Sequence, residues 1–283
     1  MKPVQAGTPE YNARIRRAER LASKYPFAAE VLRFYRHIAE FQRDLYANLP
    51  LKWGSQPLAR PQGTIRSELN LVVLLPHFKP WLDLVGRSAP PPLAQTAGEF
   101  AAESSNSLIA AFGDFWTFAG RFRPGSTQAE NQANPFHDFL LLGFLHPYCE
   151  FLAAHQPAPT LEATSRECPR CASQPLLGVL RPEGDGGKRR LLCSLCLQEW
   201  DFRRICCPAC GEEEEKKLPV YVAEQFPHIR VEACETCKTY IRTIDLTKDG
   251  NAVPVVDDLA AIPLTLWAQE HGYARLQPNL LGT

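Results

Sequence analysis

The sequence predicts an α+β protein with an all-helical N-terminal domain, two tandem four-cysteine ribbon modules and a C-terminal helix. Three observations lead to this prediction. Apolar residues recur at helical spacing through much of residues 1–160. Nine of the ten cysteines lie after residue 165, and eight of those nine form four C-x-x-C pairs. A chain of 283 residues has room for about two domains, which matches a helical half followed by a cysteine-rich half.

The N-terminal half is predicted to contain roughly five to seven helices. In the clearest of them, Phe34, Ile38, Phe41 and Leu45 recur at spacings of three and four, as on a helix with one face in a core. Pro76 is expected to kink or end a helix, and the prolines at 90–92 can open another in its first turn. The predicted ranges are 10–24, 27–49, 67–85, 108–122 and 135–155.

No catalytic constellation is visible in this half. Its histidines form no i, i+4 pair with an intervening Glu, so we interpret them as core or capping residues. The basic run 14–20 is interpreted as a solvated helix face, because acidic residues accompany it. The aromatic residues between 112 and 122 are interpreted as core, with any exposed part suited to a protein partner. The residues concerned are His37, His77, His137, His146 and His155, and Phe112, Phe115, Trp116, Phe118 and Phe122.

Composition and segment patterns indicate a soluble cytoplasmic protein. The N-terminus lacks the apolar core of a secretory signal, and no apolar stretch is long enough to span a bilayer. Lys plus Arg and Asp plus Glu both number 31, so no net charge would attract nucleic acid or an anionic membrane. In a reducing compartment, paired cysteines indicate metal binding or redox chemistry, not structural disulfides.

The four C-x-x-C pairs predict two metal sites with four cysteine ligands each. Two residues between thiolates allow a tight turn to present both sulfurs to one ion. The gaps between successive pairs are 21, 10 and 23 residues, and each long gap fits a β-hairpin between two such turns. The first pair is therefore expected to combine with the second, and the third with the fourth. The predicted ligands are Cys168, Cys171, Cys193 and Cys196 in the first site, and Cys207, Cys210, Cys234 and Cys237 in the second.

Strands and turns divide the second half into modules. Strands are predicted over residues 176–180 and 189–192 in the first hairpin, and over 218–222 and 229–233 in the second. A Pro-containing linker at 156–165 separates the helical domain, 1–160, from the modules, 166–200 and 201–250. Residues 255–283 are assigned to a C-terminal helix and tail.

The ligand types leave the metal open between zinc and a rubredoxin-type iron, because both accept four thiolates in a tetrahedron. Gly211 after Cys210 resembles a rubredoxin turn, whereas Ala172, Leu197 and Lys238 stand at the equivalent positions of the other three pairs. Four thiolates leave no open position at which water could be activated, so a structural or electron-transfer role is expected.

Two cysteines remain outside the pairs. Cys149 lies in an apolar helical run, and Cys206 lies directly before Cys207. Both are interpreted as buried thiols. Cys206 could instead be a competing ligand or a redox-sensitive thiol.

A series of short strings from residue 168 onward occurs in a specific order and spacing. They are Cys168-Pro-Arg-Cys171, Leu192-Cys193-Ser-Leu-Cys196 with Glu199-Trp200, Arg204-Ile-Cys-Cys207-Pro-Ala-Cys210-Gly211, Glu232-Ala-Cys234-Glu-Thr-Cys237-Lys-Thr-Tyr240, Val256-Asp257-Asp258-Leu259-Ala260, Trp267 to Gly272-Tyr273, and Pro278-Asn279. Together they resemble the formate dehydrogenase accessory proteins, the FdhE-type family. Phe144-Leu-His-Pro-Tyr148 in the helical half fits the same family more diffusely.

This resemblance implies a cytoplasmic maturation factor needed for an active respiratory formate dehydrogenase, and not an enzyme that oxidises formate. It implies binding to the molybdenum- or tungsten-containing catalytic subunit before that subunit is exported. It also implies two metal ions on the eight paired cysteines, with rubredoxin-type iron favoured over zinc.

Two other functions fit part of the pattern. A zinc-ribbon nucleic-acid-binding protein would use a basic hairpin tip, and Arg181, Lys188, Arg189 and Arg190 supply one in the first module. The acidic run 212–215 in the second module weighs against this function. A thiol–disulfide oxidoreductase needs one C-x-x-C at a helix start in a βαβ context, which four-fold pairing with ribbon gaps does not provide.

Overall fold

The computed structural model of the chain describes residues 8–53, 65–118, 134–155, 165–184 and 186–282. All structural statements below apply to these ranges. Most of the predicted linker at 156–165 and the end of the aromatic run, including Phe122, lie outside them.

The N-terminal half is helical, as predicted. Short 3-10 turns at Pro26–Ala28 and Ile65–Glu68 precede two of the helices. The proline at the start of the fourth helix occupies a position where a missing N–H costs nothing, as the sequence indicated. The α-helices are α1 (Thr8–Lys24), α2 (Ala29–Trp53), α3 (Leu71–Ser88), α4 (Pro91–Ala102), α5 (Ser105–Phe118) and α6 (Pro135–His155).

Helix α3 continues through Pro76 and Pro80, so the helix does not end at Pro76. The Asn70 side chain caps its first turn by accepting a hydrogen bond from the Val73 N–H. One face of the helix is deeply buried, with Phe78 and residues on either side of both prolines in the core. Burial of these large side chains offsets the lost backbone hydrogen bonds.

The second half forms one seven-stranded sheet. Its strands are β1 (Pro175–Glu183), β2 (Gly186–Cys193), β3 (Glu199–Asp201), β4 (Val220–Val222), β5 (Ile229–Ala233), β6 (Thr239–Asp245) and β7 (Ala274–Arg275). The order is β3-β2-β1-β6-β5-β4, with β7 pairing with β6. Each module is thus a three-stranded antiparallel unit, larger than the predicted hairpin. The parallel pair of β1 and β6 joins the two units.

The C-terminal segment contains two short helices where the sequence predicted one. They are α7 (Pro254–Ala260) and α8 (Ile262–Glu270). Pro263 lies in the first turn of α8, where it cannot donate a backbone hydrogen bond to a preceding turn. The chain then pairs β7 in parallel with β6, so the C-terminus is fixed to the second module.

The helical and sheet halves share their hydrophobic cores. One core cluster joins Trp81 and Phe144 of the helices to the buried cysteines of the first module. The other joins Leu21 of α1 and Leu32 of α2 to one sheet face and to α7 and α8. The two halves are therefore packed through common interiors.

Ion pairs reinforce this packing and correct the interpretation of the basic run 14–20 as a solvated face. Arg14 is buried and pairs with Glu150 of α6 at 2.7 Å. Arg17 is also buried, and its Nε donates to Asp257 of α7 over 2.9 Å. Arg16 is exposed, as the sequence interpretation required. Within the ranges given above, none of the helices combines the length and apolarity that a bilayer crossing needs.

Candidate metal centres

The first site brings together Cys168, Cys171, Cys193 and Cys196. Their sulfurs lie within 4.8 Å of one another, and three of the pairs are 3.3, 3.6 and 3.8 Å apart. The turn before β1 carries the first C-x-x-C, and the turn between β2 and β3 carries the second. All four side chains are buried.

The second site brings together Cys207, Cys210, Cys234 and Cys237 in the same way. The sulfurs of Cys207 and Cys237 are 3.8 Å apart, and those of Cys210 and Cys234 are 3.6 Å apart. Here the turns precede β4 and separate β5 from β6. The structure thus groups the first pair with the second and the third with the fourth.

The sulfur positions fit a tetrahedral four-thiolate ion. Bonds of about 2.3 Å to one ion place tetrahedral sulfurs roughly 3.8 Å apart, close to the separations in both sites. A disulfide would require about 2.05 Å, and none of the ten cysteines forms one. Zinc and iron satisfy this geometry equally well.

The residue after the second cysteine of every pair has a left-handed backbone. Its φ is 54° at Ala172, 52° at Leu197, 84° at Gly211 and 54° at Lys238. For a residue other than glycine this conformation costs roughly 1–2 kcal/mol. Three of the pairs lack glycine here and looked less like a rubredoxin turn in sequence, yet their backbone adopts the same conformation.

An equivalent backbone hydrogen bond closes each of the four turns. In every pair the N–H of the first cysteine donates to the carbonyl five residues later, over 2.8 to 3.0 Å. In the second pair the N–H groups of Leu195 and Cys196 also point at the Cys193 sulfur, at 3.3 and 3.4 Å. Such N–H groups favour a thiolate over a thiol, because they stabilise its negative charge.

The electrostatics of the first site require a cation if all four sulfurs are to ionise. Hydrogen bonds from the other three cysteines lower the pKa of Cys171. Burial raises the pKa of Cys193 and Cys196. Four neighbouring thiolates would repel one another in this dry interior, so a bound dication or trication is what makes the fully ionised set stable.

Two residues from the helical half hold the turns of the first site. Arg66 donates from Nε to the Cys171 carbonyl over 2.7 Å and from Nη2 to the Ser173 hydroxyl over 2.8 Å. On α6, His146 Nε2 lies 3.1 Å from the Ser194 carbonyl oxygen, which can only accept, so this nitrogen carries the proton. Burial lowers the pKa of His146 to about 4, which keeps the ring neutral at neutral pH.

Sequence reasoning gave neither residue a part in the site. His146 was interpreted with the other histidines as a core or capping residue, and it is indeed buried. Arg66 belongs to no motif, and its target lies 105 positions away in the chain. Only the spatial contact identifies it.

The second site lies at the surface. Cys210 is exposed and Cys237 is half-buried, whereas Cys207 and Cys234 are buried. A cleft of about 220 Å³ opens beside the two buried cysteines. Exposed Ile205 and Val220 line part of it.

A third group of potential ligands, His228, Asp249 and Asp257, is better explained by ion pairs. His228 Nε2 lies 2.8 Å from an Asp257 carboxylate oxygen. Arg17 reaches both carboxylates, with 2.7 Å between its Nη2 and Asp249. The guanidinium already supplies the positive charge that a metal ion would bring.

The basic residues of the first hairpin are neutralised by acidic neighbours. Arg181 pairs with Glu199 at 2.6 Å, and Arg189 pairs with Glu232 at 2.6 Å. Asp201 pairs with both Lys188 and Arg190, at 2.8 and 3.0 Å. All four cations of the predicted basic tip are therefore engaged, which removes most of the attraction for phosphate.

The two remaining cysteines and two residues of the aromatic run lie in the core. Cys149 is buried, and burial raises its pKa. Cys206 is buried beside the second site but does not belong to its sulfur group. Phe112 and Trp116 are buried too, so these two members of the aromatic run offer little surface to a partner.

Comparison with known proteins gives consistent matches to one family. A family model described as the central domain of FdhE matches residues 167–204, and one described as the C-terminal domain of FdhE matches residues 205–281. The FdhE homolog of Aquifex aeolicus is 26% identical to this chain, over 93% of the chain and 92% of that protein. The FdhE homolog of Pseudomonas aeruginosa is 29% identical, over 99% and 93%.

The fold is also that of a solved relative. The crystal structure of the FdhE protein from Pseudomonas aeruginosa superimposes with a TM-score of 0.70 at 23% sequence identity. The match covers 98% of this chain and 96% of that chain. It therefore includes the helical half, which lies outside the ranges matched by the two family models.

Proposed function

Since this chain belongs to the FdhE family, we propose that it is an accessory protein for a respiratory formate dehydrogenase and not an enzyme that oxidises formate. The observation that carries the proposal is the ordered run of four C-x-x-C pairs, which lies wholly within the ranges matched to FdhE domains. In this proposal the chain acts in the cytoplasm. There it binds the catalytic subunit of the dehydrogenase during maturation.

The proposed ligands are the eight cysteines of the two sites, which hold two metal ions. Their sulfur spacing and the need to balance four thiolate charges support this assignment. We favour iron of the rubredoxin type, with zinc as the alternative. Bound iron would supply one-electron chemistry, whereas bound zinc would supply structure alone.

The chain's own part is to fix the thiolates. The left-handed turns aim both sulfurs of a pair at one point, and backbone N–H groups stabilise the charge on Cys193. Arg66 and His146 hold the first site's turns from the helical side. Because four cysteine ligands would fill each tetrahedral site, neither site leaves an open position for a substrate while all four stay bound.

The test combines metal analysis with co-purification. The full chain is purified anaerobically from iron-supplied cells that also express a tagged candidate catalytic subunit. We expect two metal ions per chain, retention of the chain on the tagged subunit, and a thiolate-to-iron colour that bleaches on reduction. A colourless chain that carries only zinc would contradict the iron assignment and leave the accessory role standing. Failure to bind any candidate subunit would contradict the role.

Single cysteine variants give the matched control. Cys171→Ser and Cys234→Ser should each lose one ion per chain, because each removes a ligand from a different site. Cys206→Ser should keep both ions, because its sulfur lies outside both sulfur groups. Loss of an ion from Cys206→Ser would instead make Cys206 a ligand.

The zinc-ribbon alternative predicts salt-sensitive binding to DNA or RNA. The ion pairs at the first hairpin tip and the acidic run 212–215 both argue against it. Titration of the metal-loaded chain with labelled DNA and RNA at low and high salt decides the matter. We expect the chain to show no DNA or RNA binding that is present at low salt and lost at high salt.

A further inference from the structure

The two four-cysteine sites differ in their surroundings although their turns are alike. In the first site, each cysteine side chain is at most 2% exposed, and all four belong to the core cluster that includes α3 and α6. Hydrogen bonds from Ile65, Arg66 and His146 reach its turns from the helical half. Access to these sulfurs requires the helical half to separate from the sheet.

The second site has an open side. Cys210 is exposed and Cys237 is half-buried, so two of its four cysteine residues are at least partly open to solvent. Neither core cluster includes any of its four cysteines. An external ligand can therefore reach this site while the fold stays intact.

We infer that the sites have separate roles: the first is a sealed structural centre, and the second exchanges its metal with thiol ligands through Cys210. This inference rests on the proposed function, in which both sites bind metal. Ligand exchange at a metal held by thiolates needs an incoming soft donor, such as another thiol. That donor must also be able to reach the ion. The second site meets the access requirement in the folded state, whereas the first meets it only after local unfolding.

The exchange step at the second site is balanced in charge and protons. An incoming thiol would release its proton to solvent, and its sulfur would replace that of Cys210 as a ligand to the bound metal. The released Cys210 thiolate accepts a proton. The other three cysteines would hold the ion until further incoming donors replace them in the same way, so the exposed side is where a thiol-bearing partner would engage first.

The test follows metal release from the intact chain. The full-length protein is loaded with zinc to two equivalents and mixed with the chromophoric chelator 4-(2-pyridylazo)resorcinol, with and without glutathione. We expect two phases of one equivalent each, differing in rate by at least about tenfold, with glutathione accelerating only the fast phase. Cys210→Ser should lose the fast phase and keep the slow one.

Alkylation of the zinc-loaded wild-type chain provides a second measurement that needs no variant. Iodoacetamide followed by peptide mass analysis should modify Cys210 first, and the four cysteines of the first site last. Release of both ions in one phase, or equal labelling of Cys210 and Cys193, would overturn the inference. The proposed function would still be supported in that case, because two ions are bound. A chain that never binds two ions would overturn both.

Discussion

Gly178 and Thr243 face each other across the parallel pair of β1 and β6, and the structure leaves no room for a side chain at position 178. A Cβ there would lie 2.1 Å from the Oγ1 of Thr243 and 3.1 Å from its Cβ. This pair of strands joins the two cysteine modules into one sheet. A glycine at 178 therefore lets the two modules pair closely at this point of the sheet.

We predict that Gly178→Ala destabilises the protein by about 1–3 kcal/mol, as expected for overpacking of a dense interior. Urea denaturation followed by circular dichroism measures the loss. Adding Thr243→Ala should recover part of it, because this change removes the atom closest to the new Cβ. Gly186→Ala in β2 is the control, since a Cβ there meets nothing within 4 Å. Equal effects at 178 and 186 would contradict the prediction.

The left-handed residues after each C-x-x-C give a second prediction. Gly211→Ala should destabilise by roughly 1 kcal/mol, because alanine disfavours a φ of 84° even though its Cβ would make only ordinary contacts. Ala172→Gly should instead stabilise the protein by up to about 1 kcal/mol. The backbone strain that it relieves exceeds the conformational entropy that glycine adds to the unfolded chain.

Chemical denaturation of the metal-loaded chain measures both changes. Gly250→Ala is the control, because Gly250 does not adopt the left-handed conformation and a Cβ there has space. Stabilisation by Gly211→Ala would show that the turns tolerate a side chain without strain.

The buried pair of Arg17 and Asp257 gives a third prediction. Asp257 is 1% exposed, and among the described residues Arg17→Gln would leave its carboxylate with the His228 ring and the Val253 N–H as partners. A buried charge that loses its counter-ion costs on the order of 3 kcal/mol. Because the pair joins α1 to α7, both halves should lose stability together when unfolding is followed by urea denaturation. Arg16→Gln, on the exposed side of α1, should change stability by less than about 0.5 kcal/mol.

Local patterns predicted the site and much of the fold. The spacing within and between the C-x-x-C pairs placed the eight cysteines in two groups, and the hairpins followed from strands flanking turn-rich segments. Helical spacing located α2 because its apolar side chains recur on one face. Helix α6 was located as a long apolar run, and it is buried on nearly all sides. These features depend on residues close together in the sequence.

Contacts between distant segments could not be read in this way. The parallel pairing of β1 with β6 brings together Gly178 and Thr243, which carry no pattern that identifies each other. The basic run on α1 looked like a solvated face because Asp257, the partner of Arg17, lies 240 positions away. Pro76 suggested a kink or the end of a helix, because the backbone hydrogen bond lost at a proline can be inferred from the sequence alone. The side-chain burial that offsets this loss depends on contacts with distant segments.

Arg66 provides the last prediction, which concerns metal retention in the first site. Its guanidinium also donates to the Trp116 carbonyl, so it links α5 to the turn that carries Cys171. Arg66→Lys keeps the charge but cannot make these forked hydrogen bonds. Residues that support metal ligands without binding the metal themselves typically contribute 10- to 100-fold to metal affinity. We therefore expect the slower metal ion to leave the Arg66→Lys chain about tenfold faster, with the faster ion unchanged, in the chelator assay. Arg87→Lys, on the exposed end of α3, should leave both rates unaltered. Equal release from the Arg66 and Arg87 variants would mean that the first site does not depend on support from the helical half.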